Sequence, residues 1–299
     1  NPGSLGVEYL RGLRDTGFNR LSIGVQSLDD EELVALDRIH TAEQARDAYA
    51  AARRAGFDNV NLDFIYGLPE QPLVAWQRTL DDALAMAPEH LSLYALTVEE
   101  GTPLARDVAR GRVVAPDPDG QAEQYEWTEE RLARSGYDHY EISNWARPGR
   151  ACAHNLIYWR NREYLGLGAG AHSYLDGVRF STVLLPNRYT ELVDEADAGA
   201  QDGQAEMRHV IGAEQITPEL AMADELILGL RLIEGVSKPA FADRFGTDVH
   251  TAYGAIIDEF VGYALLEETA THLRLTPRDR LLSNELFQRL LPEREDVTA

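Results

Sequence analysis

The segment Asn19–Pro69 decides the fold: NRLSIGVQS (19–27), LDRIH (36–40), AEQARDAYAAARRAG (42–56) and NVNLDFIYGLP (59–69). Two apolar runs, Leu21–Val25 and Val60–Ile65, end in polar groups and a glycine, and the run between them is rich in helix formers. A strand-helix-strand succession of this length is the building block of a parallel sheet. Such sheets gather ligands at the carboxyl ends of their strands, where Gln26, Asp63 and Tyr66 are expected.

Working outward, Asn1-Pro2-Gly3 is a turn signal of the kind that follows a strand, so something is expected to precede it. A helix over Leu5–Thr16 closes on Gly17. Downstream, PLVAWQRTLDDALAMAP (72–88) has helical spacing and Leu91–Leu96 reads as a strand. Residues 1–97 thus repeat a helix-strand rhythm that predicts an α/β barrel or an open parallel sheet. A Gly-, Pro- and Asp-rich loop holding a short helix follows over 99–120, then a helix at Gln121–Ser135 and a strand at 137–142.

In a chain of 299 residues two domains are expected, the second from Glu219 onward after a polar linker at 176–217. Three helices (219–232, 239–245, 249–261), a hairpin (264–268, 271–275) and a last helix (278–290) predict a winged-helix-like domain. Residues 219–299 carry eight basic side chains against fifteen acidic ones, and the whole chain has net charge −22, which disfavours nucleic acid as a partner. No apolar stretch is long enough to cross a bilayer and the first residues do not read as a secretory signal, so a cytoplasmic location is expected. Cys152 is the only cysteine, which excludes an intrachain disulfide and a multi-cysteine metal or cluster site built from these residues alone.

Asp63 interrupts an apolar strand and needs a partner there, either a neighbouring loop or ligand hydroxyls or a cation. Gln26 ends its strand in the same way, and Arg38 could clasp a carboxylate, though a lone arginine more often forms a surface ion pair. CAHNLIYW (152–159) and EYLGLGAGAHS (163–173) crowd Cys152, His154, His172, aromatics and alternating glycines into one window. Taken singly the histidines are more often structural. Together with rings and small residues they suit a flat, metal-bearing macrocycle. The glycines leave room for another segment or a ligand to approach closely, and they lack the surroundings of a dinucleotide fingerprint.

These residues resemble the radical S-adenosylmethionine proteins related to oxygen-independent coproporphyrinogen III oxidase, and among them the haem chaperone branch. The resemblance rests on NRLSIGVQS, LDRIH, NLDFIYGLP (61–69), HLSLYALTVEEGT (90–102), YEISNWARPG (140–149), CAHNLIYW, GLGAGAHS (166–173), LILGLRL (226–232) and LTPRDRLLSNELF (275–287). It implies an α/β fold, a partial radical-SAM βα barrel (1–175) with a C-terminal helical, winged-helix-like domain (218–299). It implies that Gln26 and Asp63 hold the ribose of S-adenosylmethionine, Arg38 its carboxylate, and that Thr97 faces the adenine. His154 is the leading haem contact implied and His172 a weaker one near the cofactor. The family's 4Fe-4S cluster is held by three cysteines spaced CxxxCxxC, which this sequence does not contain, so a fragment lacking the first barrel strands is expected, with no catalytic or metal-ligating residue of its own. Asp279 stands where the family usually has glycine.

The function implied is binding haem and passing it to haem-accepting proteins, with peripheral membrane association where the acceptors require it and the oligomeric state left open. Coproporphyrinogen III oxidase activity is the alternative, and a non-catalytic binding module a third. By the resemblance His154-Asn155 and Tyr158-Trp159 favour the chaperone, since that signature marks its branch; a porphyrinogen tetracarboxylate also calls for several basic residues around its pocket, and arginines near the glycine run are few (Arg160, Arg162, Arg179).

Overall fold

A computed structural model describes residues 1–4, 6–199 and 207–292. The chain divides into two compact units, Asn1–Ala151 and Cys152–Ala299.

In the first unit α1 (Val7–Asp15) leads into β1 (Leu21–Gln26), α2 (Asp30–Ala35), α3 (Ala42–Arg54), β2 (Val60–Tyr66), α4 (Leu73–Ala85) and β3 (His90–Ala95). Then come α5 (Pro103–Ala109), α6 (Pro118–Arg134), β4 (Asp138–Glu141) and β5 (Asn144–Ala146). The sheet order is β1-β2-β3-β5-β4, with β1, β2 and β3 parallel and β5 antiparallel to both β3 and β4. The strand-helix-strand reading of 19–69 is what the structure contains.

Alternation along the strands gives this sheet two chemically different faces. Ile23 and Val25, then Val60, Leu62, Phe64 and Tyr66, then Leu91 and Leu93, form one apolar side with Trp145. Helix α3 covers it with Ala45, Ala48, Tyr49 and Ala52, α4 with Trp76, Leu80 and Ala83, and α6 with Tyr125 and Leu132. Each large side chain buried here contributes roughly 1.5–3 kcal/mol. Trp76 also donates from Nε1 to Thr128 Oγ1 at 2.7 Å, so its one polar atom is satisfied inside the core. Helix α3 begins at a capping box in which Thr41 Oγ1 accepts from Gln44 N and Gln44 Oε1 accepts from Thr41 N. Arg53 near its end donates to Tyr49 Oη and Glu89, whose other oxygen accepts from Val60 N at 3.0 Å, tying α3 to the start of β2.

The second unit holds α7 (Ala153–Trp159), β6 (His172–Leu175), β7 (Val178–Thr182), α8 (Pro186–Gly199) and β8 (Val210–Gln215). Next are α9 (Pro218–Gly229), β9 (Val236–Ser237), α10 (Lys238–Phe245), α11 (Val249–Gly262), β10 (Leu266–Glu268), β11 (His272–Leu275) and α12 (Ser283–Leu290). Thr217, Ser237 and Asp248 cap α9, α10 and α11 through side-chain oxygens. The three helices and the antiparallel β10-β11-β9 sheet are the winged-helix-like arrangement expected.

The stretch 176–217, expected as a polar linker, instead contributes β7, α8 and β8; β6, β7 and β8 form an antiparallel sheet. Its strands are held by backbone ladders; β7 alternates only over 178–181, and most of β8 is exposed, so the apolar signal was short. Residues 200–206 of that stretch lie outside the described ones. No described helix is long and apolar enough to cross a membrane.

Candidate functional site

The polar face of the five-stranded sheet carries the candidate site. Register places Gly24, Asp63, Ser92 and Asn144 in one row across it, with Glu141 beyond, and Ser22, Asn61 and His90 in the next. Tyr66, expected at this end of β2, has the opposite parity: it is buried against Trp76 on the apolar face, ring centroids 5.4 Å apart.

Gln26 and Arg38 line a common cavity of about 360 Å³ with Asn1, Gly24, Asp37, Ile39 and His40. The parallel register slips between Gly24 and Gln26, and Gln26 takes a left-handed φ of 67°. Such a φ is costly for a residue with a Cβ, typically 1–3 kcal/mol, and it turns the carboxamide back over Gly24. A Cβ at Gly24 would come 2.7 Å from Gln26 Nε2, so the glycine is the space into which that amide folds. Arg38 follows Asp37, itself at φ 54°, and among the described residues its guanidinium has no carboxylate partner. The buried His40 anchors this loop, its Nε2–H donating to Val25 O at 3.0 Å just before the bulge.

Asp63 stands beside Gly24 in register. Its Oδ2 accepts from Ser22 Oγ at 2.9 Å and its Oδ1 from Asn61 Nδ2 at 2.7 Å. Asn61 and His90 are buried, and their contact runs from His90 Nδ1 to Asn61 Oδ1 at 2.6 Å. Burial, with help from the Arg20 charge, pushes the His90 imidazole down to about 3, so the ring is neutral. Burial pushes the Tyr94 phenol on the same face up. Thr97 lies exposed beyond the end of β3, where the preceding Leu96 carbonyl accepts from Gln121 Nε2 at 3.0 Å. The structure thus brings Gln26, Arg38 and Asp63 to one edge of the sheet, and Thr97 makes no side-chain hydrogen bond among the described residues.

Ser22, Asn61, His90 and Ser92 went unnoticed in the sequence. The signal was present: VNLDFIY (60–66) and HLSLYA (90–95) alternate apolar and polar side chains with period two, which puts Asn61 on the face of Asp63 and His90 on that of Ser92.

In the second unit His154 is exposed on α7, with Nε2 3.0 Å from Tyr158 Oη and the two rings edge to face. Tyr158 packs against Tyr164, which bridges to Tyr174 on β6. His172 begins β6 and is exposed; no hydrogen bond or ring contact joins it to His154 among the described residues. The glycine run has a structural cause: a Cβ at Gly166 would fall 2.2 Å from His172 O, and Gly168 and Gly170 have φ of 99° and 72°. The close approach expected there is made by the chain's own strand. Arg160 and Arg179 are engaged by Glu234 and Asp224.

A nucleoside bearing a cis-diol and a carboxylate fits the donor set of the first unit, where Gln26 folds over Gly24 and Arg38 lacks an anion. A three-thiolate cluster does not fit the residues present, since Cys152 is the single cysteine and no group of three or more metal-ligating side chains stands together among the described residues.

Residues 1–83 match the radical SAM superfamily and residues 216–282 the HemN C-terminal domain. The chain is similar to coproporphyrinogen III oxidase (HemN) from Escherichia coli, with a TM-score of 0.76 at 21% identity over 97% of this chain and 68% of that one, which shows the α/β fold. It is 34% identical over 293 residues to the heme chaperone HemW of Bacillus subtilis, covering 98% of this chain and 75% of that protein. To the heme chaperone HemW of Mycobacterium tuberculosis it is 37% identical over 291 residues, 97% of this chain and 70% of that one. Identity of this extent, carried through both matched regions, places the chain in the HemW family of radical SAM proteins.

Proposed function

We propose that the first unit binds S-adenosylmethionine and that the second handles haem as cargo, to be passed to haem-requiring acceptor proteins in the cytoplasm, some of them membrane-associated. The observation that carries the nucleoside reading is the shared cavity of Gln26 and Arg38 with Asp63 one strand away on the same face. Arg38 offers a bidentate fork to the amino acid carboxylate, Asp63 accepts from ribose hydroxyls, and Gln26 completes the sugar edge. Thr97 would face the base. Bound S-adenosylmethionine supplies an activated sulfonium, and the residues described bind and orient it.

The haem reading rests on an exposed imidazole, His154, held at Nε2 by the Tyr158 hydroxyl 3.0 Å away. In the tautomer whose Nε2–H donates to Tyr158 Oη, the Nδ1 lone pair is left for iron. His172 is the secondary candidate. The pairing of Arg160 and Arg179 with carboxylates favours haem handling over oxidation of a tetracarboxylate porphyrinogen, which would need those guanidinium groups.

Haemin titration of the whole chain, followed in the Soret band, tests the cargo, and calorimetry with S-adenosylhomocysteine tests the nucleoside. A Soret shift that His154→Ala abolishes, and nucleoside binding that Asp63→Asn weakens at least tenfold, are expected. A haemin spectrum identical in His154→Ala would overturn the first assignment.

A further inference from the structure

The acid at the centre of the nucleoside site is held by a chain of hydrogen bonds that runs in one direction. Asn61 Nδ2 lies 2.7 Å from Asp63 Oδ1, 2.7 Å from Ser22 Oγ and 2.9 Å from Ser92 Oγ. An ionised carboxylate only accepts, so the Asn61 amide nitrogen must face Asp63 and its oxygen must face His90. His90 Nδ1 then carries the proton and donates to Asn61 Oδ1 at 2.6 Å. In a neutral ring this leaves Nε2 as an acceptor, and Tyr140 Oη stands 2.7 Å away to donate to it. Tyr140 on β4 therefore donates to His90 on β3, His90 donates to Asn61 on the neighbouring β2, and Asn61 donates to Asp63 two positions along its own strand.

The arrangement leaves Asp63 a specific remaining capacity. A carboxylate offers about four lone-pair sites. Asn61 takes one on Oδ1 and Ser22 one on Oδ2, so each oxygen keeps one acceptor position. Two acceptor positions, one per oxygen, match the two hydroxyls of a ribose cis-diol. Were the Asn61 amide to turn over, its oxygen would confront Asp63 Oδ1 and the carboxylate would rotate away from that match.

We propose that His90, oriented by Tyr140, is a positioning residue that acts through Asn61 to hold Asp63 in the orientation that recognises a ribose cis-diol. The inference rests on the nucleoside reading above and deepens it. His90 is fully buried and touches no ligand; its effect is confined to the direction of one amide.

The test compares S-adenosylhomocysteine with its 2′-deoxyribose counterpart, each titrated calorimetrically into the full chain. Native protein is expected to prefer the ribose form about tenfold, the worth of one hydrogen bond to a charged group. In His90→Leu that preference should fall to about twofold while affinity for the deoxy form changes by less than about threefold, because only the diol contact is lost. His90→Asn, whose amide nitrogen can stand where Nδ1 stood, should keep the preference. Should His90→Leu fail to fold, Tyr140→Phe decides, with the preference expected to drop about threefold. An unchanged preference in a folded His90→Leu protein, or in Tyr140→Phe where that is the deciding variant, overturns the proposal. Absence of any preference in the native protein, or a preference that survives Asp63→Asn, overturns the nucleoside reading instead.

Discussion

Replacing Asp279 by alanine should stabilise this protein at pH 8 and do nothing at pH 4. Asp279 opens a 3-10 turn (Asp279–Leu281) ahead of α12, is fully buried, and neither of its carboxylate oxygens has a hydrogen-bond partner among the described residues. Burial, with Glu285 adding a like charge, raises its carboxyl to about 6 from the ordinary 3.8. A carboxyl raised on folding favours the folded state below its unfolded value and loses that contribution as pH rises through the folded one. The gap corresponds to about 3 kcal/mol at about 1.4 kcal/mol per pH unit, and solvent screening around Glu285 trims this to about 2 kcal/mol. Urea unfolding of native and Asp279→Ala protein, measured from pH 4 to pH 8, reads the effect. The variant should gain about 2 kcal/mol at pH 8, with the difference closing between pH 6 and pH 4. Asp279→Asn separates charge from shape: it should flatten the pH dependence equally and gain less, because a buried amide is also left unpaired. A difference independent of pH, or a variant less stable than native at pH 8, would refute the reasoning.

Other outcomes follow from the same geometry. Gln26→Gly should stabilise the first unit by about 1 kcal/mol by relieving a left-handed φ, yet weaken S-adenosylhomocysteine binding, as thermal melting and calorimetry would show together. Glu89→Ala strips Val60 N–H and Arg53 of a shared acceptor and should cost about 2–3 kcal/mol in urea unfolding. Gly166→Ala drives a Cβ toward the His172 carbonyl and should cost about 2–3 kcal/mol, read in the same way. Tyr158→Phe should weaken haemin binding about tenfold without changing the fold, because His154 loses the hydroxyl that holds its ring in place.

The parallel strands were legible because Leu21–Val25 and Val60–Ile65 are apolar runs bounded by turn residues, with helix formers between. Gln26, Arg38 and Asp63 were legible as polar groups at or near strand ends. The face of His90 was legible from the alternation of HLSLYA, but its role was not, since its meaning lies in a cross-strand partner, Asn61, 29 positions earlier. The β6-β7-β8 sheet was hidden for a different reason: its strands lie in a stretch rich in polar residues, and Gly177 in the β6-β7 turn and Gly212 within β8, both at positive φ, look like loop residues. Asp279 could be marked as unusual from the sequence, but its burial could not.

The two-faced sheet makes chain length a harder constraint than side-chain identity. Deleting a single residue within 60–66 would exchange the sides on which the remaining side chains emerge, sending phenylalanine and leucine onto the polar face and aspartate into the oily layer beneath the helices. A conservative replacement at one of these positions disturbs one contact, whereas the loss of one codon inverts the whole segment. Drift in β2 should therefore proceed by exchange of residues and almost never by change in their number.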